Sequence, residues 1–232
     1  ETHFEEDMPL YWGDWGVSSE VEKLKAVLMR RPGKEVEAFD AEAVRFTDEP
    51  LDVALMRKQH DDVTNIYRQH GAKVYYVEEQ RVDRPNAVYC RDLMFMTPEG
   101  AILTRPGMAT RRGEERYIAQ ALAKIGVPIV RTINGDGIFE GANAMWVDRR
   151  TCVLSTGIRC NRSGYDQVAE ELRRQGVTEI IPMQLPYSNI HIDGIMNAAS
   201  NELILGHVSQ IPYDVVDALK KKGYKMLEAP SQ

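Results

Sequence analysis

Three acidic side chains and one histidine stand at matching places in the sequence. Asp92, Glu140 and Asp193 lie 34, 36 and 30 residues ahead of a glycine that ends a helix-like stretch. His191 lies two residues before Asp193. Equivalent positions of a repeat that closes around an axis meet in one place. The spacing therefore predicts a cleft that holds three carboxylates and an imidazole.

Two arginines repeat the same regularity. Arg111 lies 19 residues after Asp92. Arg159 lies the same 19 residues after Glu140. Both are expected in loops at the rim of the cleft. An acidic floor with a basic rim suits a ligand that has a cation at one end and a carboxylate at the other, such as arginine, because several carboxylates match the planar donor fork of a guanidinium.

Each of these residues also has a purely structural interpretation. His191 and Asp193 can form a structural pair on one face of a strand. Asp92 can pair with Arg91 or cap a turn, and Arg111 can belong to a solvated helix start. The shared 19-residue offset favours the functional interpretation. Two matching offsets do not exclude coincidence, so both interpretations stay open at the level of the residues.

An internal repeat supplies the elements that would position these side chains. Four segments read as an amphipathic helix, a glycine and a short apolar strand, and their glycines are 55, 50 and 47 residues apart: Gly71, Gly126, Gly176 and Gly223. Basic or polar residues precede each glycine, which is typical of a left-handed C-terminal helix cap. Ahead of three helices, two apolar runs flank a turn and predict a hairpin. The unit is therefore strand, strand, helix, strand.

Composition narrows the class of protein. The 232 residues carry a net charge of −6 without a basic block, which argues against nucleic acid or an anionic membrane as a partner. No apolar run approaches the roughly 18 residues of a membrane helix. Three cysteines do not suit a disulfide framework, so we expect a cytoplasmic protein. Residues 1–232 read as one domain, and homo-oligomerisation stays open.

Cofactor and metal motifs are not evident in the sequence. The stretch that begins at Gly135 has Glu140 where a dinucleotide fingerprint requires glycine, and no phosphate-binding loop occurs. The histidines other than His191 do not show metal-ligand spacing. We therefore expect neither a metal nor an organic cofactor.

At these positions the sequence resembles the guanidino-group-modifying enzymes (penteins), which are arginine deiminases, dimethylarginine dimethylaminohydrolases and amidinotransferases. The resemblance rests on stretches whose order and spacing agree over nearly the whole chain: 19–28 with 31–33, 86–92, 111–114, 139–143, 157–164 and 191–193. It implies an α/β fold, a five-fold pseudosymmetric α/β propeller, which agrees with the period of about 50 residues. It also implies that the C-terminal part of the fifth unit lies outside this chain.

The resemblance implies a role for each polar residue of the cleft. Asp92 and Glu140 would hold the substrate guanidinium, and Asp193 would grip it beside the histidine. The two arginines would meet the substrate carboxylate. The complete implied set of substrate-binding residues is Asn86, Asp92, Arg111, Glu140, Arg159 and Asp193.

The resemblance also implies a catalytic set, formed by His191, Asp193 and Glu140. His191 would protonate the departing amine and then activate water. The nucleophile of the family is a cysteine near the C-terminus that attacks the guanidinium carbon as a thiolate. That cysteine is expected beyond Gln232. The alternative is a protein that binds the ligand without catalysis.

The cysteines within the chain lie in the second and third repeats and not at the place of the nucleophile. Cys90 is expected to be an ordinary buried thiol. Cys160 stands beside Arg159, and it could line the cleft.

The resulting hypothesis is a hydrolase of arginine or an arginine-like guanidino compound. Residues 140–143 read Glu-Gly-Ala-Asn, whereas hydrolases of the family typically carry Glu-Gly-Gly-Asp and amidinotransferases tend to carry Asp-Ala-Ala-Asp. Glu140 favours the hydrolase. Ala142 and Asn197 favour the alternative, an amidinotransferase that passes the amidino group to an amine. An alternative of another class is a non-catalytic guanidino-ligand sensor.

Overall fold

The computed structural model describes residues 2–37, 51–78 and 82–230. The helices in these ranges are α1 (Phe4–Tyr11), α2 (Val53–Gln69), α3 (Glu114–Ile125), α4 (Arg162–Arg174) and α5 (Tyr213–Lys221). The strands are β1 (Ala26–Met29), β2 (Lys73–Tyr76), β3 (Met94–Thr97), β4 (Gly100–Leu103), β5 (Ile129–Thr132), β6 (Ala144–Asp148), β7 (Thr151–Thr156), β8 (Glu179–Gln184), β9 (Met196–Ser200), β10 (Leu203–Gly206) and β11 (Lys225–Glu228).

The strands form four small sheets, numbered here in chain order. The second, third and fourth sheets have the orders β3-β4-β5, β6-β7-β8 and β9-β10-β11. In each of them the first two strands form an antiparallel hairpin and the last two are parallel. A helix connects each parallel pair, because parallel neighbours need a crossover. The predicted strand-strand-helix-strand unit is therefore confirmed three times.

The four periodic glycines end their helices as the sequence predicts. Gly71, Gly126, Gly176 and Gly223 have φ angles of 85°, 87°, 87° and 93°. Gly126, for example, closes α3 with its N–H on the Ala123 carbonyl. A side chain with a Cβ is strained at such a φ, so glycine is the residue that lets each chain leave its helix and turn into the next strand.

Apolar side chains between neighbouring units hold the sheets side by side. Phe95 of β3 stacks on Trp146 of β6, with ring centroids 5.5 Å apart. Leu154 of β7 and Leu172 of α4 are fully buried in the same cluster. Burial of each such side chain contributes about 2 kcal/mol. This packing fixes the starts of β3 and β6 close to each other, which is what the cleft requires.

The first unit differs from the other three. Its sheet contains β1 and β2, which are parallel, and in the described part of the chain β1 pairs with no other strand. The buried side chains of α2 are His60 and Thr64, whereas Leu55 and Ile66 are exposed. The helices of the other units bury apolar residues instead. None of the helices in the described ranges is long and apolar enough to cross a membrane.

Candidate active site

The predicted convergence of polar side chains is present in the structure. Asp92 lies in the 3₁₀ turn Cys90–Leu93 that leads into β3, and Glu140 stands directly before the turn Gly141–Asn143 that leads into β6. His191 lies in the loop before β9. One ligand-type atom from each of the three side chains lies within 4.8 Å of the others. Strand starts in three neighbouring sheets therefore deliver these groups to one point.

His191 lies between the two carboxylates. Its Nε2 is 2.7 Å from Glu140 Oε2, and its Nδ1 is 3.8 Å from Asp92 Oδ1. All three residues are buried. Burial acts to raise the pKa of Glu140, but the His191 hydrogen bond and the Arg159 charge outweigh it and leave the pKa below its ordinary value. Glu140 is thus an ionised partner for the imidazole at neutral pH.

Arg111 is buried beside Asp92 and does not stand at an open rim. Its Nη1 donates to Asp92 Oδ2 at 2.5 Å, and its Nε donates to Glu114 Oε2 at 2.9 Å. Its Nη2 donates to the backbone carbonyls of Asn86 and Tyr89, each at 3.3 Å. The 19-residue offset corresponds here to a direct buried ion pair. The structural alternative of an Asp92–Arg91 pair is wrong, since Asp92 pairs with Arg111.

Arg159 takes the corresponding position on the other carboxylate. Its Nη1 donates to Glu140 Oε1 at 3.2 Å, and its Nη2 contacts Met108 Sδ at 2.8 Å. The backbone N–H of Gly107 also donates to Glu140 Oε1, at 3.1 Å. A Cβ at position 107 would lie 3.1 Å from the Ile158 carbonyl oxygen, so the loop passes close to its neighbour here. Sequence reasoning missed this backbone donor, which carries no side-chain signal.

Asp193 lies beside the cluster and faces another cation. Its Oδ2 is 3.6 Å from Arg91 Nε, and Arg91 Nη1 is 3.5 Å from Glu20 Oε2. Burial raises the pKa of Asp193, while the charges of His191 and Arg91 oppose the rise and Asp92 adds to it. The place of Asp193 next to His191 suits the predicted contact with a ligand, which stays a prediction.

Two further residues contact Arg111, and one of them is not among the predicted site residues. Asn86 is buried, and its backbone carbonyl accepts from Arg111. Its predicted contact with a substrate remains a prediction. Glu114 belongs to a stretch of the resemblance but was not assigned a role, although its place three residues after Arg111 at a helix start is the spacing of a side-chain pair. Burial raises the pKa of Glu114 to about 7, against the charge of Arg111.

The described cysteines are buried thiols. Cys90, Cys152 and Cys160 are free and buried. Burial raises the pKa of Cys90 and of Cys160 to about 12 and raises the pKa of Cys152 further. The expectation for Cys90 is confirmed, and Cys160 belongs to the apolar core rather than the cleft. A thiolate is the reactive form of cysteine, so these three are unsuited to nucleophilic attack.

One group of side chains in the described ranges has the geometry to hold a metal ion, and it is the same cluster of Asp92, Glu140 and His191. Two of its atoms, His191 Nε2 and Glu140 Oε2, already bind each other. Arg111 and Arg159 place two positive charges on the carboxylates. These two charges repel a divalent ion more strongly than they repel a singly charged organic cation.

Two known proteins are similar to this chain in sequence. A Bacillus subtilis protein called uncharacterized protein YkgA is 26% identical over 80% of this chain and 62% of its own length. The N(G),N(G)-dimethylarginine dimethylaminohydrolase of Streptomyces coelicolor is 24% identical over 79% of this chain and 69% of its own. This chain thus spans less than two thirds of the Bacillus relative.

The fold also matches a solved structure. The N-terminal domain of ArgZ, an arginine dihydrolase from the ornithine–ammonia cycle in cyanobacteria, superposes with a TM-score of 0.75 at 17% identity, over 89% of this chain and 76% of that one. The predicted pentein-type α/β propeller fold is thereby confirmed. The family model described as N,N dimethylarginine dimethylhydrolase, eukaryotic, matches residues 36–232. The chain belongs to this dimethylarginine dimethylhydrolase family.

Proposed function

We propose that this protein is a hydrolase that cleaves a C–N bond in the guanidinium group of arginine or an arginine-like compound. The observation that carries the proposal is the buried imidazole of His191 between Glu140 at 2.7 Å and Asp92 at 3.8 Å. Paired carboxylates bind a permanently charged guanidinium, and an imidazole moves protons near neutral pH. The family and the dimethylaminohydrolase named for Streptomyces coelicolor support the same class of reaction.

Ligand binding must rearrange the ion pairs and hydrogen bonds of the site. Glu140 Oε2 is bound to His191 and Glu140 Oε1 is bound to Arg159. A guanidinium that enters between Asp92 and Glu140 would take over the contact on Oε2, which frees His191 Nε2. A carboxylate at the other end of the ligand would compensate the arginine charge. This exchange favours a ligand that carries both groups.

The proposed chemistry begins with a cysteine thiolate, which adds to the guanidinium carbon. The protonated His191 gives its proton to the departing nitrogen as the C–N bond breaks, which leaves an amine and a thiouronium intermediate. Water then adds to the same carbon, and His191 takes its proton. The C–S bond breaks, the thiolate returns, and a neutral ureido product leaves after the second proton of the water passes to the released amine or to solvent. Asp92 and Glu140 bind the positive charge throughout.

The repeat suggests where the nucleophile would enter. Asp92 and Glu140 each lie just before the strand that pairs antiparallel with the middle strand of a sheet. In the first sheet β1 takes the place of that middle strand, and the described part of the chain adds no antiparallel neighbour to it. We propose that a nucleophilic cysteine would reach the guanidinium carbon from a position just before a strand that pairs antiparallel with β1.

Three further predictions accompany the reaction. We propose a cytoplasmic location, supported by the free thiols of all three cysteines. We propose that residues 1–232 belong to one domain, supported by apolar clusters that run from one unit into the next. The proposed partner is a small guanidino compound.

An assay of the complete natural polypeptide tests the function. The protein is incubated with L-arginine, agmatine, N-methylated arginines and guanidinoacetate, each with and without an amine acceptor. Release of ammonia or an alkylamine without the acceptor is the expected result. Turnover that requires an amine would make the protein an amidinotransferase. Tight binding without turnover in either condition would make it a guanidino-ligand sensor.

A further inference from the structure

The two arginines of the site differ in the residue that stands three positions after each of them. Glu114 follows Arg111 and begins α3, whereas Arg162 follows Arg159 and begins α4. The two positions are equivalent in the repeat. One arginine is therefore followed by an acid and the other by a base.

Glu114 contacts Arg111 at Nε, whereas Asp92 contacts it at Nη1. It is fully buried, and its Oε2 accepts from Arg111 Nε at 2.9 Å. Arg111 Nη1 then reaches Asp92 Oδ2 at 2.5 Å. The planar guanidinium transmits orientation, because a partner on Nε fixes the plane in which both Nη groups lie. A buried row of three charged groups thus ends on the carboxylate that meets the ligand.

Arg162 provides no such support to Arg159. Its side chain is 77% exposed and pairs with Asp166 at 2.9 Å. Among the described residues the Nε of Arg159 has no hydrogen-bond partner, and its guanidinium contacts only Glu140 Oε1 and Met108 Sδ. The two equivalent arginines are therefore restrained to different degrees, Arg111 more strongly than Arg159.

We propose that Glu114 is a positioning residue that acts through Arg111 to fix the orientation of Asp92 for a guanidinium ligand. This inference rests on the proposed guanidino chemistry of the site. Glu114 itself does not contact the ligand in this proposal. It also separates the two arginines, since Arg159 is the one free to exchange its partner when a ligand binds.

Stability alone does not account for a carboxylate at this place. A buried ion pair contributes little net stability, because desolvation offsets the attraction. Arg84 and Asp92 are the other charged groups whose fields act on Glu114, and Oε1 of Glu114 has no hydrogen-bond partner in the described ranges. The favourable acid at the helix start is already supplied by Glu115, whose Oε2 accepts the Gly113 N–H at 2.8 Å.

Glu114→Gln and the control Glu115→Gln test the proposal in the complete natural protein. Equilibrium binding of L-arginine and of agmatine, which lacks the carboxylate, is measured by calorimetry at pH 8, above the pKa of about 7 of Glu114, and at a temperature where both variants are folded. We expect Glu114→Gln to weaken both ligands by the same factor, about tenfold, because a charge-assisted hydrogen bond becomes a neutral one and the damage lies at the guanidinium end. Glu115→Gln should bind as the wild type does.

Three results would overturn the inference. Wild-type affinity in Glu114→Gln would show that Asp92 needs no support from behind. A loss confined to L-arginine would place the defect at the carboxylate end of the ligand. An equal loss in Glu115→Gln would show that the effect comes from the removal of an acid at the start of α3 and not from the contact with Arg111. Binding of both ligands without turnover would remove the proposed hydrolysis and leave this inference standing.

A measurement on the ligand-free wild type decides the matter even if neither ligand binds or the variant does not fold. The Nε–H of Arg111 should exchange slowly with solvent in ¹⁵N-resolved NMR, because it is buried and bonded to Glu114. The Nε–H of Arg159 should exchange fast. Equal exchange of the two signals would contradict the inference.

Discussion

The two halves of the candidate site begin at the same place in the repeat and end in different surroundings. In the half built on the second sheet, Arg111 donates to Asp92, to Glu114 and to two backbone carbonyls, so the arginine has the most hydrogen-bond partners of its pair. In the half built on the third sheet, Glu140 accepts from Arg159, from a backbone N–H and from the histidine, so here the carboxylate has the most hydrogen-bond partners of its pair.

This difference teaches how a repeat acquires an asymmetric function. Equivalent strand starts deliver a carboxylate to the same point in both halves, but the loops decide what restrains it. We infer that the Asp92 half holds its carboxylate still, while the Glu140 half exchanges partners with the ligand and the histidine. Four experiments, taken from the largest expected effect to the smallest, examine that difference.

Removal of the imidazole that joins the two halves should have the largest effect. His191→Ala is expected to lower turnover of L-arginine by about 10²- to 10⁴-fold, because the leaving nitrogen and the water lose their proton carrier. The affinity for the ligand should change little, since the carboxylates remain. Steady-state kinetics and calorimetry of the same variant give both values. Wild-type turnover would remove His191 from the mechanism.

The two carboxylates should differ in their contribution to folding. Asp92→Asn leaves Arg111 with its bonds to Glu114 and to two backbone carbonyls and is expected to lower the free energy of unfolding by about 1 kcal/mol. Glu140→Gln leaves Arg159, whose side chain is 13% exposed, without a carboxylate partner in the described ranges and should lower it by about 3 kcal/mol. Urea denaturation measures both. A cost that is equal in the two variants would contradict the distinction between the halves.

Glu114 should make stability depend on pH in a defined window. Its pKa is about 7 in the folded protein against an ordinary value of 4.5. The folded state therefore holds the proton more tightly, and the free energy of unfolding should fall as pH rises from about 4.5 to about 7, by about 3 kcal/mol, and level off above. Glu114→Gln lacks this component. If the free energy of unfolding changed with pH in the same way in the wild type and in Glu114→Gln between pH 4.5 and 8, the raised pKa of Glu114 would be refuted.

Conservative changes of the two arginines should have the smallest effects, and the effects should be of different kinds. Arg111→Lys cannot keep four bonds and should lower the free energy of unfolding by about 1.5 kcal/mol. Arg159→Lys should lower it by less, about 0.5 kcal/mol, because an ammonium group can keep the one hydrogen bond to Glu140, and it should weaken L-arginine more than agmatine. Thermal melts and ligand titrations check both. If Arg111→Lys, and not Arg159→Lys, weakened L-arginine more than agmatine, the roles assigned to the two arginines would be reversed.

Sequence reasoning predicted the parts of this protein that repeat. The glycine caps, the three hairpins and the meeting of Asp92, Glu140 and His191 all follow from periodicity, because an equivalent position in a repeat has an equivalent place in space. The pairing of each carboxylate with the arginine 19 residues later was visible as an offset, but its meaning was not. A contact between two loop side chains depends on how both loops fold.

The sequence by itself determined the unit, its number of strands and the residue types that reach the cleft, since local propensity and the 50-residue period are properties of the chain. Only the tertiary structure decided that Arg111 is buried with Glu114 behind it, that Gly107 donates to Glu140, and that Arg91 faces Asp193 rather than Asp92. Charged side chains choose among several partners by burial and distance. Both quantities exist only once neighbouring units have packed together.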